Sequence, residues 1–306
     1  MEKINENSFL KDDLVFKEKW IGFIDILGFK TLVKKAEAGE AISLPQLLEV
    51  LKDFGSPEER SNFNKYGPIN CPGSSYIQRD LDFRLTQVSD CVVMSSEISP
   101  AGVINLVHKC WSSVIKLLSK GIMCRGYITR GLIYHSERQF MGSGYQEACS
   151  QEKKTVFDQN DGGKVGTPFV EVDKKVCDYV RDVPDPCVRK MFLRFVAQSK
   201  EVAAISPLES IGHSFVIAGQ GYVFDSGKEK ESNQNVREAL QCYKKRVKAF
   251  ADSPEADEKA EHYFSALENQ LKACDRTDEM IDWVGSKYPC PIDIVVKEKK
   301  EFHERS

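Results

Sequence analysis

The segment that most constrains the fold is residues 20–30, WIGFIDILGFK, in which one aspartate interrupts an apolar run. A short apolar run that ends at a glycine is typical of a buried strand followed by a tight turn. Because an unpaired carboxylate is costly to bury, Asp25 needs a turn, a helix cap or a ligand. The segment therefore predicts a central strand with Asp25 near its end, either as a cap residue or as part of a functional site.

A second aspartate, Asp90, lies between two strand-like segments, LDFRLTQV and CVVMSS, which predict a β-hairpin with Asp90 at its tip. Alone, Asp90 is typical of an Asx turn. If the first strand and the hairpin are neighbours, however, Asp25 and Asp90 converge on one sheet edge, where paired carboxylates suit Mg²⁺ or Mn²⁺. Backbone N–H groups of residues 26–30 would add an anion site at a helix start. This combination indicates phosphoryl chemistry.

The remaining segments follow the order β-α-α-β-β-α-β-β-α-α-β, which predicts an α+β fold of the ferredoxin-like type, with helices packed on one side of the sheet. Further along we expect two short strands within residues 121–135, a loop at 141–166, helices at 169–179 and 188–199, and a strand at 213–218. Helical spacing after residue 236 predicts a C-terminal helical hairpin. The expected organisation is a polar segment at 1–17, a core domain at 18–225, and the hairpin with a charged tail at 226–306.

Three further side chains have two interpretations each. Arg125 lies in a strand pattern, and a buried arginine pairs with either a carboxylate or a phosphate. Lys174, with Lys175 beside it, is either a cation of the site or part of a solvated helix face. Tyr127 either contacts a nucleotide base or packs in the core. The spacing of these residues leaves each alternative open.

Composition excludes several classes of protein. The 306 residues carry 43 Lys and Arg against 46 Asp and Glu, a formal charge of −3, which argues against a nucleic-acid-binding surface. No apolar run approaches the roughly 20 residues of a membrane-spanning helix, and the polar start does not resemble a secretory signal. The ten cysteines include no C-x-x-C pair, which predicts reduced thiols and no zinc site. We therefore expect a cytoplasmic protein without membrane insertion.

Three motifs, FIDILGF at 23–29, SDCVVMS at 89–95 and RGYITRGLIYH at 125–135, together resemble the class III nucleotidyl cyclases. They are more closely similar to the bacterial pyrimidine cyclases of the Pycsar anti-phage defence systems. The similarity covers residues 18–225 and leaves the C-terminal hairpin unmatched. It implies a βααββαββα-type core and conversion of a nucleoside triphosphate to its 3′,5′-cyclic monophosphate and pyrophosphate. It also implies a head-to-tail homodimer with two composite sites.

The resemblance implies a role for each residue that matches a motif. Asp25 and Asp90 would hold two divalent cations per site, Mn²⁺ or Mg²⁺, and the backbone carbonyl of Ile26 would assist the second cation. The turn that follows would hold the triphosphate through Leu27, Gly28 and Phe29.

Three positions depart from the adenylate and guanylate branch, one in base selection and two in catalysis. Thr86 stands where that branch has a base-selecting lysine, and Val170 replaces its catalytic asparagine. Lys174 replaces its transition-state arginine, a role that Arg125 could also take. The loss of purine selectors implies a pyrimidine substrate. We expect UTP to be converted to cyclic UMP, which would act on a separate cyclic-nucleotide-binding effector. A cytidylate cyclase and a catalytically silent nucleotide-binding sensor are the alternatives.

Overall fold

A computed structural model describes residues 14–40, 43–52, 74–136, 139–157, 165–199, 202–206, 224–250 and 254–287. The chain divides into two compact units, Met1–Pro207 and Leu208–Ser306. The domain boundary expected after residue 225 stays a prediction, because residues 207–223 lie outside the described ranges. Most of the polar segment expected at 1–17 also lies outside them.

The first unit is built on an eight-stranded sheet. Its strands are β1 Lys17–Ile26, β2 Arg84–Val88, β3 Cys91–Glu97, β4 Cys124–His135, β5 Phe140–Met141, β6 Val170–Val172, β7 Val196–Ser199 and β8 Val202–Ile205. Their order is β2-β3-β1-β4-β6-β8-β7, and β5 pairs with β4. Only β4 and β6 are parallel among these described pairs. The predicted α+β class is confirmed.

Six helices of this unit lie within the described residues, and their starts follow local signals. They are α1 Phe29–Glu37, α2 Leu44–Lys52, α3 Pro100–Ser119, α4 Ser143–Glu152, α5 Lys174–Asp182 and α6 Pro186–Leu193. At α2, the backbone N–H of Ser43 donates to Gln46 Oε1 at 2.8 Å, the reciprocal half of a capping box. At α3, the Ser99 hydroxyl accepts from Gly102 N–H, and proline occupies the first helical position.

The helices pack on both faces of the sheet. Gly22 of β1 faces α3, since a Cβ added there would lie 3.0 Å from Cys110 Sγ. Its neighbour Ile21 faces α4, because a Cβ added to Gly144 would lie 2.5 Å from Ile21 Cδ1. Successive residues of a strand point to opposite faces, so α3 and α4 lie on opposite sides. The prediction that all helices pack on one side is wrong.

Two predictions for residues 121–166 are also wrong. β4 is one strand of 12 residues rather than two halves, because Arg130 and Gly131 continue the pairing with β1 opposite Trp20 and Lys19. The glycine-rich stretch expected to be a loop contains α4. A glycine at position 144 fits there because its backbone lies against Gly131 of β4, where a Cβ would approach within 2.9 Å.

Each of two segments expected to be a single helix contains both a strand and a helix. The pattern at 169–179 spans β6 and the start of α5, and the pattern at 188–199 spans α6 and β7. In each segment the apolar spacing continues across the junction between strand and helix, so the spacing does not reveal the change of secondary structure. The strand expected at 213–218 lies outside the described residues.

The second unit contains α7 Ser226–Phe250 and α8 Pro254–Lys287, which confirm the predicted helical hairpin. Its buried side chains include Leu240, Val247, Tyr263, Leu267 and Ile281. Asn233 is fully buried between the helices, and its Nδ2 donates to Cys274 O at 2.8 Å and to Asp278 Oδ1 at 2.7 Å. The charged tail lies outside the described residues.

Two expectations drawn from composition have outcomes in the described parts of the chain. No described helix combines the length and the apolar character needed to cross a membrane. Seven of the described cysteines are free thiols, as expected, whereas Cys187 is disulfide-bonded. The expectation of reduced thiols is therefore wrong at Cys187.

Candidate active site

The register of three adjacent strands brings Asp25, Asp90 and Arg125 to one end of the sheet. Asp25 pairs with Cys91 of β3 on one side and with Arg125 of β4 on the other. Asp90 directly precedes Cys91, and its backbone carbonyl accepts from Ile26 N–H at 3.1 Å. Residues that pair directly across antiparallel strands lie on the same face, so Asp25 and Arg125 share one face.

The tip of the β2–β3 hairpin positions Asp90. Val88 pairs with Cys91, which leaves a two-residue turn formed by Ser89 and Asp90 and confirms the predicted hairpin. Ser89 has φ 54°, in the left-handed region that tight hairpin turns use to match the twist of their strands. Asp90 is therefore held by the turn geometry beside the end of β1.

The turn after β1 leads directly into α1. Leu27 N–H donates to Met123 O at 3.0 Å, and Gly28 has φ 74°, a conformation that favours glycine. Hydrogen bonding in α1 begins with the N–H groups of Thr31 and Leu32, which donate to Gly28 O. A Cβ added to Gly28 would meet nothing within 4 Å. Space is therefore open beside Gly28, at the start of α1 and two residues beyond Ile26, and the first N–H groups of a helix suit an anion.

The Asp25 carboxyl is disfavoured in its charged form. Burial and, to a lesser extent, the charges of Glu152 and Asp90 raise the pKa of Asp25, whereas Arg125 lowers it, so that the pKa is about 6. Burial, together with Asp25 and Asp90, also raises the pKa of the Cys91 thiol to about 11. Cys91 is therefore a neutral thiol at neutral pH. A cation bound between the two aspartates would offset their repulsion.

Arg125 forms an ion pair inside the unit. Its Nε donates to Oε1 of Glu152, the last residue of α4, and the two side chains are 15% and 2% exposed. Gly166, at φ 88°, lies against the guanidinium, since a Cβ there would be 2.8 Å from Arg125 Nη1. Of the two interpretations of Arg125, the structure shows the carboxylate pair. Glu152 was missed because α4 was predicted as a loop.

Thr86 lies two strands from Asp25, in a buried polar cluster that the sequence did not indicate. Its hydroxyl lies 3.1 Å from His135 Nε2, and His135 Nδ1 lies 2.8 Å from the Ser95 hydroxyl. All three side chains are buried. Thr86 therefore has protein partners in this structure, and His135 is the additional polar residue beside it.

Tyr127 pairs with Phe23 of β1, two residues before Asp25, and lies among carboxylates. Burial and the charges of Asp173, Glu171 and Glu147 raise the pKa of Tyr127, whose hydroxyl is hydrogen-bonded to Asp173. Asp173 also accepts from the Thr129 hydroxyl at 2.8 Å. The Tyr127 hydroxyl therefore has a protein partner within this unit, and its contact with a nucleotide base stays a prediction.

Lys174 is the first residue of α5, and it is exposed. β6 runs parallel to β4, and its last residue, Val172, pairs with Ile128. Lys174 follows two residues after Val172, whereas Arg125 lies three residues before Ile128, near the start of β4. The structure therefore brings Arg125, and not Lys174, to Asp25 within one chain.

No known family model matches this chain, and no curated protein is significantly similar to it. Functional conclusions therefore rest on the residues themselves. Within the described residues, no three His, Cys, Asp or Glu side chains are grouped to hold a metal ion. Two carboxylates and a backbone carbonyl nevertheless suit Mg²⁺ or Mn²⁺, because Mg²⁺ is commonly held by one or two carboxylates together with substrate phosphates. The donor set fits a cation shared with a phosphorylated substrate.

Proposed function

We propose that the chain is a pyrimidine nucleotide cyclase with a class III nucleotidyl cyclase core, which converts UTP to 3′,5′-cyclic UMP and pyrophosphate. The observation that carries the proposal is the placement of Asp25 and Asp90 at neighbouring strand ends, directly before the N-terminus of α1. Carboxylates that bind cations and backbone N–H groups that bind phosphate are the two requirements for holding a nucleoside triphosphate.

Each group of the site has a distinct part in the proposed reaction. Divalent cations held by Asp25, Asp90 and the Ile26 carbonyl would neutralise the triphosphate and lower the pKa of the 3′-hydroxyl. Because Leu27 N–H is already bonded to Met123 O, the N–H groups that follow it, at Gly28 and Phe29, bind the phosphates. The 3′-oxygen bonds to the α-phosphorus, the bond from that phosphorus to the bridging oxygen breaks, and pyrophosphate leaves. The hydroxyl proton passes to solvent.

The remaining predicted residues are assigned through a homodimer with composite sites. Lys174 is exposed and distant from Asp25 in its own chain, so it would offset phosphate charge in the partner's site. For Thr86 and Tyr127 to contact the base, their side chains would have to exchange their present partners, His135 and Asp173, for the nucleotide. The cyclic product would act on a separate cyclic-nucleotide-binding effector in anti-phage defence.

One observation favours the alternative of a catalytically silent nucleotide-binding sensor. The Arg125 guanidinium is engaged by the buried Glu152 carboxylate, so its charge is already compensated within the unit. A sensor of this kind would bind UTP and a divalent cation but release no pyrophosphate. A cytidylate cyclase is the other alternative, because no described contact distinguishes uracil from cytosine.

The test is to incubate the protein with ATP, GTP, CTP or UTP and Mn²⁺ and to identify the products by mass spectrometry. Asp25→Asn and Asp90→Asn are the test variants. Asp182→Asn, a change at the 74%-exposed side chain that ends α5, is the matched control. We expect cyclic UMP from the unmodified chain and the control alone. Cyclic CMP would establish the cytidylate alternative, and cation-dependent UTP binding without product would establish the sensor.

A further inference from the structure

A cavity of about 190 Å³ lies at the opposite end of β1 from Asp25. It is lined by Val15, Lys17, Lys19, Asp82, Arg84, Ile133, Tyr134, His135 and Ser136. Roughly 27 Å of strand separates Lys17 from Asp25 at about 3.4 Å per residue. The cavity is therefore distinct from the candidate active site.

Positive charge is in excess in this cavity. Three cationic side chains surround Asp82, the one carboxylate among the described lining residues, with N–O distances of 3.5 Å to Lys17, 3.2 Å to Lys19 and 3.3 Å to Arg84. Asp80, outside the lining, lies 3.5 Å from Arg84 Nη1, so two carboxylates face three cations. The Lys19 side chain is only 3% exposed. Burial lowers its pKa to about 8 despite the attraction of Asp82, so the carboxylate does not fully compensate the buried ammonium. A further negative charge would stabilise the group.

The backbone that carries the carboxylate is itself strained. Leu81 has φ 57° and Asp82 has φ 43°, two consecutive side-chain-bearing residues in the left-handed region. Such conformations cost on the order of 1–3 kcal/mol each, persist only where the surroundings impose them, and cluster at ligand sites. Here the strained pair places Asp82 so that it holds the three cations together at the cavity wall.

From this arrangement we propose that the cavity binds a small oxyanion of the phosphate type, through Lys17, Lys19 and Arg84. Nη1 of Arg84 already donates to Phe83 O at 2.8 Å, so the remaining N–H groups of the guanidinium would bind the oxyanion, and the lysines would add point charges. Ligand pockets for drug-sized molecules measure about 300–1,000 Å³. The smaller volume here favours inorganic phosphate or pyrophosphate over a whole nucleotide. The proposal is independent of the proposed cyclase activity.

The test is isothermal titration of phosphate, pyrophosphate and UMP into the full chain without divalent cations, which removes cation-dependent binding at Asp25 and Asp90. We expect pyrophosphate to bind most tightly, because it carries the most charge in a volume that fits. Arg84→Gln and Lys17→Gln should each weaken binding about tenfold, the loss expected for one charge-assisted hydrogen bond. Lys190→Gln, an exposed change on α6, should leave the Kd unchanged.

Three results would overturn the proposal. One is an unchanged pyrophosphate Kd in folded Arg84→Gln and Lys17→Gln proteins, which would place the anion elsewhere, for example at α1. Another is the absence of saturable binding up to about 10 mM, the range of very weak affinity. The third is tighter Arg84-dependent binding of UMP than of pyrophosphate, which would make the ligand a nucleotide. Circular dichroism of each variant distinguishes lost binding from lost folding.

Discussion

Asp25→Asn should make the folded protein more stable at pH 8 while removing the proposed activity. The raised pKa of Asp25 means that the fold favours the protonated carboxyl and disfavours the carboxylate that exists at pH 8. Asparagine keeps the shape of the protonated form and carries no charge. The substitution therefore removes a penalty that we attribute to a ligand-binding function.

The expected gain in the free energy of unfolding follows from the pKa of Asp25 in the folded and the unfolded protein. A rise from 3.8 to about 6 would correspond to about 3 kcal/mol at 1.36 kcal/mol per pKa unit. Because Asp25 is only partly buried, solvent screening reduces this figure to about 1–2 kcal/mol. The stabilising contribution of the protonated group is fully present below the unfolded pKa and is lost as the pH rises through about 6. The advantage of Asp25→Asn should thus be full at pH 8 and only a small fraction of that value at pH 4.

Urea unfolding of the unmodified protein and the variant at pH 8 and pH 4, in the absence of divalent cations, measures this difference. Asp182→Asn is the control, and it should change the free energy of unfolding by less than about 0.5 kcal/mol, as is usual for an exposed position. If Asp25→Asn is no more stable at pH 8, or if its advantage is equal at both pH values, the electrostatic reasoning is wrong.

Three further substitutions test the surroundings of the site. Glu152→Gln leaves the charge of Arg125 without its buried partner and should lower the free energy of unfolding by about 3 kcal/mol, measured by urea unfolding. Because the Glu152 charge raises the pKa of Asp25, NMR titration of the variant should show a lower pKa for Asp25, and an unchanged pKa would contradict this. Gly28→Ala should cost about 1 kcal/mol from its left-handed φ alone, since its Cβ meets no atom. Gly144→Ala should lower the Tm more than Gly28→Ala does, because its Cβ would overlap the Gly131 backbone. An equal fall in Tm for the two variants would refute the close contact.

Local signals in the sequence were sufficient for the elements that place Asp25 and Asp90. Residues 20–26 of β1 form an apolar run interrupted only by Asp25, and the β2–β3 hairpin has two strand-like segments separated by two turn residues. Ser43 and Ser99 mark helix starts through caps that form within a few residues. Each of these features depends on neighbours in the chain, so it could be predicted without knowledge of the tertiary structure.

α4 could not be predicted in this way, because its stability depends on a distant strand. Its buried positions are occupied by Gly144, Ala148 and Glu152, which recur every four residues but include no large apolar side chain. Glycine disfavours an isolated helix by about 1 kcal/mol relative to alanine, yet here it permits the close contact with β4. Because α4 was not predicted, Glu152 could not be identified as the partner of Arg125, and the sequence left the role of that arginine open.

Because β4 is unbroken, it links two distant parts of the first unit through one register. Arg125 stands near its first residue beside Asp25, and His135, at its last residue, lines the cationic cavity. Inserting or deleting one residue in the middle of β4 would turn every later side chain to the opposite face. Evolution can therefore change side chains at either end of this strand independently, but it cannot change the strand's length without disturbing one end.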